Sequence, residues 1–176
     1  MSIRLFYDQW PRYNRRLTDV VAQMSVGALE LRLDPTRVPV WAIVGHIAAV
    51  RVYWICDVIG EPGAETTPFA DPDGPGWEDD EDTPRDAAEL VYALDTTWRI
   101  VERCLDRWTP EMLGETFERT RDGRRQAHSR TSILQRLFSH DAYHCGELSQ
   151  TLGVSGFTQV DLWGPDGLVR EPGQLG

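Results

Sequence analysis

Apolar residues near the start of the chain recur at steps of three and four: Trp10, Tyr13, Leu17, Val20, Val21 and Met24. That period puts them on one face and predicts a helix over residues 3–24. Pro11 interrupts the pattern, and its fixed φ and missing N–H demand a kink or a late start. Ser25 is positioned to cap a short turn beyond. A second, denser apolar segment begins at Pro39, a good first-turn residue, and runs to about Ile59 before Gly60 stops it. Residues 61–82 are rich in Pro, Gly and acid and read as a linker. Thr83-Pro84 opens a third helix to about Trp108, with Leu90, Leu94, Trp98, Val101 and Leu105 on one face. Thr109-Pro110 repeats the start signal for a short helix. Weak alternation over 116–129 around Asp122-Gly123 reads as a hairpin. The fourth helix spans 131–152, with Gly153 as its natural stop, and 154–176 is a turn-rich tail. The expected fold is all-α: a four-helix bundle with short extra helices and an irregular C-terminal tail.

Composition narrows the function classes. The 176 residues suffice for one domain, and 41% hydrophobic content with seven Trp argues against global disorder. So much apolar surface exceeds what one small bundle easily hides, which points to a homodimer. A net charge of −10 repels phosphate backbones, so no nucleic-acid partner is expected. All 18 basic residues are Arg, which removes every lysine-based mechanism. Cys56, Cys104 and Cys145 lie far apart and form no CxxC pair, as expected of reduced thiols in a cytoplasmic protein. The start of the chain carries no apolar signal core. The most apolar stretch, 38–50, is broken by Gly45 and His46 and stopped by Arg51, too short for a bilayer span. A soluble protein without a membrane partner is expected.

Of four histidines, His140 and His144 sit four apart in the fourth helix, so both rings share one face. Such a pair alone is commonly an ordinary surface or core feature. His46 changes that, because it lies mid-helix in the most apolar segment, with Gly45, Ala48 and Ala49 leaving space around it. Three imidazoles on two apolar helices suit a divalent ion, zinc or nickel, with a coordination position left open. Tyr53 and Asp57 follow His46 on its face, and Glu147 projects between His140 and His144. Glu147 is a candidate fourth ligand, general base or hydrogen-bond acceptor for a ligand, or else a plain bundle-edge carboxylate. Asp141, on the apolar side, either orients a ligand imidazole or serves an unrelated ion pair. His140 to His144 also resembles HExxH with Asp for Glu, a weak peptidase signal. The acidic run Asp71 to Asp82 partly follows a calcium-binding loop, but prolines crowd it. Arg119, Arg121, Arg124, Arg125 and Arg130 could grip a substrate carboxylate; neutralising the acidic surface is the plainer account. His128 has no partner at ligand spacing and is left out of the site.

Three stretches carry a family resemblance: WAIVGHIAAVRVYW at 41–54, Trp10-Pro11-Arg12-Tyr13-Asn14, and HDAYHCGELSQ at 140–150. Together they resemble the DinB-like (YfiT-like) superfamily of metalloenzymes, over residues 1–163, with 164–176 left as a tail. The resemblance implies an up-down-down-up four-helix bundle, usually dimeric, whose metal ligands become His46, His140 and His144. It also implies thiol-dependent chemistry, in which mycothiol, bacillithiol or glutathione is joined to an electrophile. Members that isomerise maleylpyruvate carry a further C-terminal domain, so that reaction fits this chain less well. The expected function is therefore a metal-dependent transferase acting on a small thiol and an electrophilic small molecule, with Glu147 or Tyr53 accepting the thiol proton. Hydrolysis by metal-bound hydroxide and a non-catalytic, stress-related metal-binding bundle are the alternatives.

Overall fold

The computed structural model describes residues 1–70 and 83–163. The acidic run at 71–82 and the tail at 164–176 lie outside the described residues. A short 3-10 helix, Ile3–Tyr7, precedes α1 (Trp10–Ala22), so Pro11 acts as a late-start signal within the first turn rather than as a kink. Ser25 caps the one-turn α2 (Val26–Leu29) through a 3.2 Å bond from the Ala28 N–H to its Oγ. Then follows α3 (Val40–Val52), which widens without a break into a π-helical turn, Tyr53–Val58.

The third long helix, α4, spans Ala87–Arg107 and starts later than Thr83-Pro84 implied. Asp86 and Glu89 form a reciprocal capping box that satisfies two orphan backbone donors, and this outcompetes the Pro84 start. A 3-10 turn at Pro110–Gly114 leads into β1 (Thr116–Arg121) and β2 (Arg124–Ser129), an antiparallel hairpin. Asp122 and Gly123 both adopt positive φ, 53° and 71°, the twist that a two-residue hairpin requires. The chain is mostly helical, and the hairpin expected around Asp122-Gly123 adds a two-stranded sheet that the all-α class leaves out. The last helix, α5 (Arg130–Val154), continues through Gly153, and the positive φ falls instead on Gly156.

Helix α3 is the centre of the fold. Every residue from Val40 to Val52 is buried except His46, which is half-buried. A helix apolar on all sides must be covered on all sides, and α4 and α5 pack against it, with α2 close to its start. Arg51 does not end the apolar stretch: Val40–Val58 is long and apolar enough to cross a membrane, yet 78% of it is buried among the other helices. The guanidinium of Arg51 is buried because partners wait for it. Its Nη2 donates to Asp141 Oδ2 of α5 at 2.8 Å and its Nη1 to Asn14 Oδ1 of α1 at 2.8 Å. The Trp10 indole N–H donates to the same Asp141 oxygen at 2.9 Å. One polar knot thus ties α1, α3 and α5 together inside an apolar core.

One further expectation changes. Glu61, assigned to the linker, is an anchor: it accepts from Trp108 Nε1 at 2.9 Å and Arg130 Nη1 at 3.1 Å, and pairs with Arg107. Five of the seven Trp, namely Trp10, Trp41, Trp54, Trp98 and Trp108, are buried within this chain. Past α5 the chain folds back, where Val160 is buried and its carbonyl accepts from Ser149 Oγ at 2.7 Å.

Candidate metal centre

His46 projects from the middle of α3 toward α5, where His140 and His144 lie one turn apart. The three rings face one another with centroids 4.8, 4.9 and 4.4 Å apart. One nitrogen from each lies within 4.8 Å of the others, a set that could hold a metal ion. His46 Nε2 and His140 Nε2 are 2.9 Å apart, a ring-to-ring hydrogen bond. Two nitrogens on one tetrahedral zinc at about 2.0–2.1 Å each stand roughly 3.3 Å apart, so a small ring adjustment suffices.

At two of the three rings, His140 and His144, burial favours the neutral imidazole, the form that binds metals. Burial, then the neighbouring His144 and His46, push the His140 pKa down to about 3. Burial also lowers His144, although the Glu147 carboxylate pulls the other way. His140 Nδ1 is buried without a hydrogen-bond partner. Nitrogens so placed fit a divalent ion better than they fit protons.

Glu147 meets the cluster from behind. Its Oε2 lies 2.9 Å from His144 Nδ1, which leaves Nε2 of that ring for a ligand and fixes its tautomer and tilt. Asp141 does not orient any histidine: its partners are Arg51 and Trp10. Asp57 is exposed and lies outside the three-histidine group. His128 stacks edge-on against Trp54, with centroids 4.8 Å apart, and stays outside the three-ring group. None of the three thiols approaches as a ligand, and burial raises Cys56 to about 11 and Cys104 and Cys145 to about 12.

The cluster opens into a cleft of about 400 Å³ that His46 and His140 share with Tyr53, Trp54, Arg119, Arg121 and Arg136. Here the π-helical turn matters, because it begins at Tyr53 and re-aims the two aromatics at the cleft wall. Tyr53 Oη accepts from Arg119 Nη1 at 2.9 Å, so the phenol is bound to a cation and not to the histidines. Arg119 and Arg121 belong to the group for which gripping a substrate carboxylate and neutralising the acidic surface were both open from the sequence, whereas Trp54 and Arg136 were given no role. The available signal was strand alternation: Phe117, Arg119 and Arg121 share one hairpin face. Which way that face turned was not legible, since it depends on how the hairpin docks against the π-helical turn.

A model of the DinB superfamily matches residues 9–148. The crystal structure of a DinB-like protein from Bacillus cereus ATCC 10987 is similar in fold, with a TM-score of 0.67. The two sequences are 16% identical, and the match covers 90% of this chain and 95% of that one. No curated protein matches the chain. The family match spans α1 through most of α5 and includes all three clustered histidines, and on that ground the chain belongs to the DinB superfamily.

Proposed function

We propose that this protein is a metal-dependent transferase that joins a low-molecular-weight thiol to an electrophilic small molecule, with His46, His140 and His144 holding the metal. The observation that carries this reading is the set of three half-buried imidazoles that meet between α3 and α5, two of which, His46 and His140, line a solvent-facing cleft. We read the four long helices as the up-down-down-up bundle of the family. A divalent ion such as zinc or nickel would stabilise a substrate thiolate at neutral pH, where a free thiol of pKa about 8.5 is mostly protonated.

The chain's own residues divide the remaining work. Glu147 holds the His144 ring through Nδ1 and acts as a positioning residue. It is also the candidate base for the thiol proton, which it would take directly and not through the ligated ring. Tyr53 shapes the cleft wall and keeps the Arg119 guanidinium in place. Tyr53 is therefore the weaker candidate of the two for that role. The protein's own cysteines take no part, since burial keeps all three protonated. Exposed Leu5 and Phe6 offer apolar area for a second copy, and a homodimer is part of the proposal, to be checked by light scattering.

The test is a panel of electrophiles offered with mycothiol, bacillithiol and glutathione to chelated and metal-loaded protein. Thiol-dependent turnover only in the loaded form is expected. Equal rates in both forms would remove the reading, and turnover without any thiol would replace it with hydrolysis.

A further inference from the structure

We propose that Arg119, Arg121 and Arg136 form a carboxylate-binding wall of the cleft, so that the reactant seated against His46 and His140 carries a carboxylate. This rests on the transferase reading for the identity of the reactants, but the binding site itself does not.

Charge distribution is the first argument. The chain carries 28 acidic residues against 18 Arg, so excess carboxylate is available to neutralise almost any guanidinium. Several guanidiniums elsewhere are paired in this way, among them Arg51–Asp141, Arg130–Glu115 and Arg4–Glu102. Those at the cleft are not, and three of them are gathered in one place. Among the described residues Arg119 and Arg136 have no carboxylate partner, and Arg121 has only its exposed neighbour Asp122 at 3.8 Å. Three cations gathered on one side of the cleft with no acid between them repel one another. That arrangement is stabilised when an anion enters.

Geometry is the second argument. Arg136 lies four residues before His140 on α5, hence on the same helical face one turn away. Its guanidinium stacks over Trp54, 5.0 Å from the ring centroid. Arg119 stacks over the same ring at 4.3 Å, and its Nε and Nη1 are held by Gln126 Oε1 and Tyr53 Oη, each at 2.9 Å. One Nη1 hydrogen and both Nη2 hydrogens are left to offer. Guanidiniums fixed in plane on an aromatic ring lose little freedom on binding and present a planar fork, which matches a planar carboxylate. Burial is partial for Arg119 and slight for Arg136, so a ligand reaches both without rearranging the fold.

The carboxylate can belong to either reactant, and matched probes separate the two sources. Calorimetric titration compares cinnamate with cinnamamide for the electrophile, and 3-mercaptopropionate with 3-mercaptopropionamide for the thiol. Both metal-free and zinc-loaded protein are used. The acid should bind about tenfold more tightly than its amide, or better, in at least one series. For cinnamate, which has no thiol, the preference should persist without metal, and it should weaken as salt rises. Arg136→Gln, which sits on an exposed helix face, should bring the ratio near one, and Arg119→Gln should do the same. Arg119→Lys should keep the charge and part of the preference. Arg125→Gln, on the other face of the hairpin and paired with Glu118, should change nothing. Equal binding of acid and amide in both series overturns the proposal, as does an unchanged preference in Arg136→Gln and Arg119→Gln. Inorganic phosphate that binds more tightly than either acid reassigns the wall and overturns it as stated. An acid preference with no turnover on any thiol supports the wall and removes the transferase reading. Turnover without acid preference does the reverse.

Discussion

Replacing Asp141 with Ala should destabilise this protein more than any single surface change, and the knot it belongs to fixes the size of the effect. The Arg51 side chain is 1% exposed and that of Asp141 9%. One oxygen, Oδ2, accepts from both Arg51 Nη2 at 2.8 Å and Trp10 Nε1 at 2.9 Å. Without it, Arg51 keeps Asn14 Oδ1 at 2.8 Å and a marginal contact with the Leu94 carbonyl at 3.5 Å. A full positive charge then sits in the core with neutral partners only. Breaking a buried pair in this way costs about 3–5 kcal/mol. For a chain of this size, about 4 kcal/mol corresponds to a fall of roughly 10 °C in Tm. Urea titration followed by tryptophan fluorescence measures the change, with an unchanged slope showing that the same surface unfolds. The double variant Arg51→Met, Asp141→Leu removes both charges and should recover at least half of the loss, the remainder reflecting the stranded Trp10 N–H. As a control, Arg125→Gln breaks a pair whose side chains are 76% and 61% exposed, and the midpoint should hardly move. A loss below about 1 kcal/mol in Asp141→Ala, or a double variant no better than the single one, would refute this account of the core.

Other outcomes follow from the same geometry. His144→Ala should sharply reduce the metal found in unchelated protein by elemental analysis, because two neutral ligands hold a labile ion poorly, and full occupancy would contradict the three-histidine site. In metal-free protein the His140 pKa, near 3 when folded, lies below its ordinary 6.5. Below pH about 6.5 the unfolded chain therefore takes up a proton that the folded cluster refuses, and stability falls as pH drops toward 3, then levels off. His140→Gln should flatten that slope, and parallel curves for the two proteins would show the shift to be absent. The thiols of Cys104 and Cys145, buried and pushed up to about 12, should react with a disulfide reagent at pH 8 only after unfolding, and rapid labelling of native protein would count against their placement.

The sequence by itself determined the elements and half of the site. Periodic apolar stripes located α4 and α5 to within a few residues, and α1 apart from its late start at Trp10, because helix amphipathicity is a local property of the chain. The His46 position and the HxxxH pair were legible for the same reason: four-residue spacing fixes a helical face, and a lone polar ring in an apolar helix stands out. Boundaries were less secure where two local signals competed, as when the Asp86–Glu89 capping box prevailed over Pro84. Tertiary structure alone decided the partners. Asp141 could as well have held a histidine as Arg51, since both lie within reach of α5, and only the approach of α1 and α3 settled it. Glu61 looked like linker until Trp108, Arg107 and Arg130, from distant parts of the chain, converged on it. The cationic wall was equally hidden. Strand alternation says that Arg119 and Arg121 share a face, but the docking of that face over Trp54 depends on a π-helical turn, a register shift with no periodic signature. Contacts between segments far apart in sequence are set by the packing of whole elements, and no local pattern carries that information.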